Sequence, residues 1–196
     1  LSGAKTFTVA LRIPGWASSS KILVNGKPAM AASAKGYALI RRKWRAGDVV
    51  TLDLPLDLRF EHAAGDEKVV ALMRGPMVMA ADLGAADDKW EGDAPALVGA
   101  DLLAAITPVS VEQAVYKTNG IGRPGDMTFK PFYAQYTRRN AVYFSKYNDA
   151  EWADAQVTYR AEQARLKDEA ARSVDVMHLG EMQPERDHNL QSDISY

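Results

Sequence analysis

Hydrophobic and polar residues alternate from the start of the chain. Over residues 6–13, Phe7, Val9, Leu11 and Ile13 fall on one side and Thr6, Thr8, Ala10 and Arg12 on the other, the period of a half-buried strand. Pro14-Gly15 ends that run. The apolar stretch Ile22-Leu23-Val24 then enters Asn25-Gly26, the dipeptide best suited to the two positive φ angles of a type I′ turn, so a tight hairpin is predicted there. Residues 37–42 form a further strand. Arg45-Ala46-Gly47-Asp48 is a turn before residues 49–60, where Val50, Leu52, Leu54, Leu56, Leu58 and Phe60 alternate until Pro55 splits the run in two. After the polar turn Gly65-Asp66-Glu67, two buried strand pieces at 69–73 and 77–81 flank Arg74-Gly75-Pro76, which reads as a bulge or break. Short strands punctuated by turns, with no helical period, predict an antiparallel β-sandwich over residues 1–83.

Residues 84–100 shift to Gly, Ala, Asp and Pro, the composition of a surface linker. The region 101–196 is read as a second, smaller β-rich part. It has weak strand signals near 102–106 and 109–116, a flexible Gly/Pro loop at 119–126, and a hairpin of 128–136 with 141–145 turning at Thr137-Arg138-Arg139-Asn140. Asn148 and Glu151 have the spacing of a capping box, with Tyr147 and Trp152 at staple positions. A helix is therefore predicted over 149–172, with a narrow apolar stripe of Trp152, Ala155, Tyr159 and Leu166. The tail from Ser173 is polar and turn-rich. The fold class is mainly β: a sandwich, then a smaller β-rich region with one long helix.

Composition narrows the chemistry. The chain has 24 basic and 25 acidic side chains, which gives no general electrostatic attraction to nucleic acid or to an anionic membrane. It has no cysteine, so disulfides, thiolate nucleophiles and cysteine-held zinc are excluded within it. Only His62, His178 and His188 offer imidazoles, and no apolar run is long enough to span a bilayer. The start, Leu1-Ser2-Gly3, has neither methionine nor a leader pattern, and the sequence reads as a soluble segment of something longer whose compartment stays open.

Candidate functional groups are few. Trp16, Tyr37 and Trp44, with Trp90, are candidates for a platform that stacks on sugar faces. Glu185, Arg186, Asp187 and His188, with Glu181 nearby, form the densest polar cluster, suited to lining a subsite or to tying down an ordered loop. The acid pairs Asp66-Glu67, Asp87-Asp88 and Asp168-Glu169 lie in polar stretches and read as solvated surface rather than as a glycosidase pair. Gly120-Ile121-Gly122-Arg123-Pro124-Gly125 precedes a strand rather than a helix and so lacks the setting of a phosphate loop.

Several motifs occur together in a familiar order: residues 7–17 (FTVALRIPGWA), Val24-Asn25-Gly26, Gly36-Tyr37, residues 44–48 (WRAGD), residues 52–55 (LDLP) and Arg74-Gly75-Pro76. This resembles the region that follows the catalytic domain in family-127 glycoside hydrolases, whose named activity is β-L-arabinofuranosidase. Lys130-Pro131-Phe132-Tyr133 and residues 185–189 (ERDHN) resemble the further C-terminal part of many members. The resemblance implies that catalysis, through a cysteine nucleophile and a zinc ion, belongs to a preceding (α/α)6 helical barrel, so no catalytic residue and no cofactor is carried over to this chain. It implies a non-catalytic accessory segment of a bacterial-type glycoside hydrolase acting on arabinofuranoside-like or related plant or complex carbohydrates. The barrel domain is then the expected partner, with a homo-oligomer and carbohydrate as further candidates. A carbohydrate-binding module using Trp16, Tyr37 and Trp44 is the alternative.

Overall fold

The computed structural model describes residues 3–31, 36–87 and 94–181, except for the side chains of 30–31 and 173–181. The opening alternation becomes β1 (Lys5–Ile13), followed by β2 (Lys21–Val24), β3 (Lys27–Ala31), β4 (Gly36–Trp44) and β5 (Val50–Asp53). Asn25 and Gly26 take φ of 51° and 74°, so the β2–β3 hairpin is the type I′ turn that their sequence predicts. The antiparallel pair β1–β4 runs without a bulge from Lys5↔Trp44 to Ile13↔Gly36. β2 lies between β3 and β5 in a second, three-stranded sheet. Between them Ile13, Ile22 and Ala38 are buried, flanked by Leu11, Ile40, Val50 and Leu52.

The larger sheet follows. It comprises β6 (Leu58–Ala63), β7 (Asp66–Arg74), β8 (Met77–Ala85), β9 (Ala96–Val98), β10 (Ile106–Ser110), β11 (Val115–Thr118), β12 (Gly122–Arg123), β13 (Thr128–Pro131), β14 (Arg138–Ala141) and β15 (Tyr143–Tyr147). The order is β10-β11-β13-β8-β7-β15-β9-β12, with β6 also on β7 and β14 also on β8. All pairs are antiparallel except β15–β9. Its core includes Val70, Leu72, Met79, Leu97 and Tyr116, and it centres on Phe129 and Phe144, whose rings meet edge-on at 5.2 Å.

Several expectations are corrected here. Of the two readings of Arg74-Gly75-Pro76 it is the break and not the bulge that holds: Arg74 pairs with Met77 across a two-residue turn, which Gly75 permits with φ of 52°. The hairpin expected of 128–136 with 141–145 does not form: β13 pairs with β8 and β15 with β7, and residues 138–141, expected as its turn, are a strand on β8. Phe132–Ala134, expected as strand, is a 3₁₀ turn. The sheet draws strands from both sides of the connection expected at 84–100, and Ala96–Val98 within that connection is itself a buried strand. Hydrogen bonding thus divides the β part near residue 57, and the later portion is the larger one.

The chain forms two compact units, Leu1–Tyr147 and Asn148–Tyr196. The second contains α1 (Asp149–Glu181), a helix of 33 residues that runs beyond the expected end at 172 and takes in residues expected as tail. Its start is the predicted capping box: the Asn148 N–H donates to Glu151 Oε2 and the Glu151 N–H donates to Asn148 Oδ1, both at 2.9 Å. Tyr159 and Leu166, placed on the expected apolar stripe, are exposed.

Candidate functional site

The three aromatic candidates do not assemble into one platform. Trp44 is 3% exposed, and its indole N–H donates to the Phe7 carbonyl at 3.0 Å. The Phe7 ring lies 5.9 Å away, and the Arg42 guanidinium sits 5.1 Å over the indole. Trp16, half-buried, lies within a turn closed by the Ala17 N–H on the Pro14 carbonyl. It packs toward the Gly75 turn, where a Cβ on Gly75 would stand 3.4 Å from its ring and 2.4 Å from Leu56. Trp16 therefore joins the small sandwich to the large sheet. Tyr37 is exposed at 66%, but it lies seven residues from Trp44 on the same strand, hence on the opposite face of β4. Trp90 and the cluster Glu185, Arg186, Asp187 and His188 lie outside the described residues.

Among the described residues of the β part, three aspartates that the sequence reading did not name as candidate site residues are each held by several hydrogen bonds. Asp48 joins two turns: the Asn25 amide donates to Oδ1 and the Arg45 N–H to Oδ2, each at 2.8 Å. Asn25 Oδ1 in turn accepts the Val49 N–H at 2.8 Å. The hydrogen bonds from Asn25 and Arg45 hold the Asp48 carboxyl below the usual carboxylate range. The two motifs Val24-Asn25-Gly26 and residues 44–48 are thus halves of one contact.

Asp126 organises the Gly/Pro loop expected to be flexible. Its carboxylate accepts the Gly120 N–H and the Thr118 hydroxyl at 2.9 Å and the Gly122 N–H at 3.3 Å. The Gly120 hydrogen bond leads in lowering its pKa. The same Thr118 hydroxyl accepts the Met127 N–H at 2.8 Å, and Gly122–Arg123 pairs with β9. A Cβ on Gly122 would lie 2.3 Å from the Gly125 carbonyl, which explains a glycine at that position without any phosphate.

Asp82, on β8, receives Lys130 Nζ at 2.8 Å and Arg138 Nε at 2.6 Å, and so ties β8 to two of its neighbours, β13 and β14. Burial pushes its carboxyl up, but the hydrogen bonds from Lys130 and Arg138 outweigh this and hold it low. Nearby, the buried Gln135 amide donates to the Ala80 and Lys130 carbonyls at 2.8 and 3.1 Å, anchoring the turn that exposes Phe132, Tyr133 and Tyr136. Asp126 was traceable from a Thr and two Gly residues upstream of it. Asp82 was not, because its partners lie 48 and 56 residues away. Among the described residues, no three His, Asp or Glu side chains converge to hold a metal ion, and no helix is long and apolar enough to cross a membrane.

Comparison with known proteins follows the same division. Residues 1–56 match the family model described as the middle domain of glycoside hydrolase family 127, β-L-arabinofuranosidase. Among solved structures, the chain is similar to a family-127 β-L-arabinofuranosidase from Geobacillus stearothermophilus T6, with 26% identity, a TM-score of 0.52, and coverage of 74% of this chain and 27% of that one. It shares a fold with a second solved glycoside hydrolase at 22% identity and a TM-score of 0.50, covering 74% of this chain and 28% of that one. No curated protein sequence matches. The chain spans less than a third of the length of these solved structures. The resemblance read from the motifs is borne out, and the family model ends where the small sandwich ends.

Proposed function

We propose that this chain is a non-catalytic accessory portion of a bacterial-type glycoside hydrolase acting on arabinofuranoside-like or related plant or complex carbohydrates. In this reading it braces a helical-barrel catalytic domain. The observation that carries it is the use made of the fixed carboxylates. Asp48, Asp82 and Asp126 are each spent on hydrogen bonds that join turns or strands, and each is held ionised by those bonds. A glycosidase acid needs the reverse: a carboxyl kept protonated near neutral pH and placed opposite a second one. The likeness of residues 1–56 to a domain named as the middle one supports a place beside another domain.

Two measurements test this. The purified chain should release phenol from an aryl β-L-arabinofuranoside no faster than buffer does, and turnover would overturn the non-catalytic reading. Joined to a helical-barrel domain of the family, the chain should raise that domain's Tm. An unchanged Tm would overturn the bracing role.

A further inference from the structure

The chain contains two Asn-Gly dipeptides, Asn25-Gly26 and Asn119-Gly120, and no others. An asparagine before glycine is the peptide unit most prone to convert itself. The glycine nitrogen attacks the side-chain amide carbon, its proton leaves with the amide nitrogen as ammonia, and a five-membered imide remains. Water then opens the imide to an aspartate or, at its other carbonyl, to an isoaspartate. Water is the only co-reactant, and glycine favours the attack because it has no side chain to block it and lets the backbone turn. Both dipeptides are exposed, so water reaches them.

Each is also held by one of the pinned aspartates, and the two are held at opposite ends of the reaction. At Asn25 the electrophile is held. Its amide nitrogen donates to Asp48 Oδ1 and its amide oxygen accepts the Val49 N–H, both at 2.8 Å. The carbon between them cannot turn toward the Gly26 nitrogen without breaking both bonds, and the type I′ turn, with φ of 51° and 74°, fixes the backbone as well. At Asn119 the nucleophile is held. The Gly120 N–H donates to both carboxylate oxygens of Asp126 at 2.9 Å. That nitrogen attacks only after losing its proton, and an anion formed there would face the Asp126 carboxylate. Hydrogen bond and like charge therefore both keep the proton in place.

We propose that Asn25 and Asn119 are latent sites of self-modification to aspartate or isoaspartate, and that Asp48 and Asp126 are their respective guards. Reaction at either site waits on local opening of its own contact rather than on unfolding of the chain. At Asn25 the product also prevents reclosure. A carboxylate replaces the amide that donates to Asp48, so two like charges meet where a 2.8 Å hydrogen bond had been. This chemistry is separate from the proposed function, and the inference does not rest on that reading.

The test follows the full 196-residue chain in warm neutral buffer by peptide mass spectrometry, each conversion adding one mass unit at a located asparagine. In the folded chain both sites should react about a hundredfold slower than in the same chain unfolded in urea. Asp48→Ala should speed conversion at Asn25 about tenfold and leave Asn119 at the parent rate, and Asp126→Ala should do the reverse. If circular dichroism finds an alanine variant unfolded, Asp48→Asn or Asp126→Asn, which keeps one accepting oxygen, replaces it with the same crossed expectation. Folded and unfolded chains that react alike at either asparagine would overturn the proposal. So would a folded variant that speeds both sites equally, or neither.

Discussion

An indole can stand at a rim to meet a ligand or lie beneath a strand to hold it, and the hydrogen bond from Trp44 to the Phe7 carbonyl assigns this one to the second role. Trp44→Phe keeps an aromatic ring but removes part of the buried indole and leaves that carbonyl without its donor, and should cost about 2–3 kcal/mol in urea denaturation. Tyr37→Ala, at a side chain 66% exposed, should change stability by less than about 0.5 kcal/mol. Gly122 gives a sharper case. Its φ is unremarkable, so an alanine is not strained by backbone angle, but the new methyl would meet the Gly125 carbonyl at 2.3 Å and the Asp126 Cα at 2.9 Å. Both are backbone atoms and cannot rotate away, so the loop pinned by Asp126 must move. Gly122→Ala should cost about 3 kcal/mol in the same measurement, near the upper end for overpacking. Gly120→Ala makes a useful comparison, because nothing lies within 4 Å of its added Cβ and its penalty comes from a φ of 77° alone.

At the scale of elements, the helix start is the most self-contained test, since its capping box lies wholly within the helical unit. Asn148→Ala leaves the Glu151 N–H without its acceptor and should lower the stability of the first turn by about 1 kcal/mol, read as faster amide exchange there. This element was legible because its signals are local: a cap, an acid three residues on, and a run of good helix formers. Its end was not, because the composition from Ser173 onward is polar and turn-rich while continuing an established helix costs little per residue. The same distinction runs through the sheets. The Asn25-Gly26 hairpin and the β1 alternation were legible from a few adjacent residues. The partition of β13 and β14 onto β8 was not, because strand pairing is decided by contacts some 50 residues apart, which no local pattern encodes. Ala96–Val98 was missed for a related reason: three small or apolar residues after a Gly/Asp/Pro stretch carry too little periodicity to read as strand. Among the aromatic candidates, the sequence told which residues were unusual but not on which face of a strand they would stand.

For the whole molecule, the three pinned aspartates tie different parts of the fold to one variable, pH. Asp48 secures the small sandwich, Asp82 gathers β8 with its neighbours, and Asp126 closes the loop that presents β12. In the unfolded chain each carboxyl returns to about 3.9. In the fold each is lowered, so the unfolded state binds more protons as pH falls, and acid favours unfolding. The stabilisation is complete above the ordinary carboxylate pKa and is lost as pH drops through the lowered values. Tm should therefore be nearly flat from neutrality to about pH 5 and fall steeply below about pH 4. Replacing Asp48, Asp82 and Asp126 together by Asn should lower Tm at pH 7 and flatten the acid limb, drawing the two curves together at low pH. Scanning calorimetry of both proteins between neutral and acid pH checks this. If the acid limb of the triple variant is as steep as the parent's, these carboxylates are not what acid releases, and the case for them as the fold's principal ties fails with it.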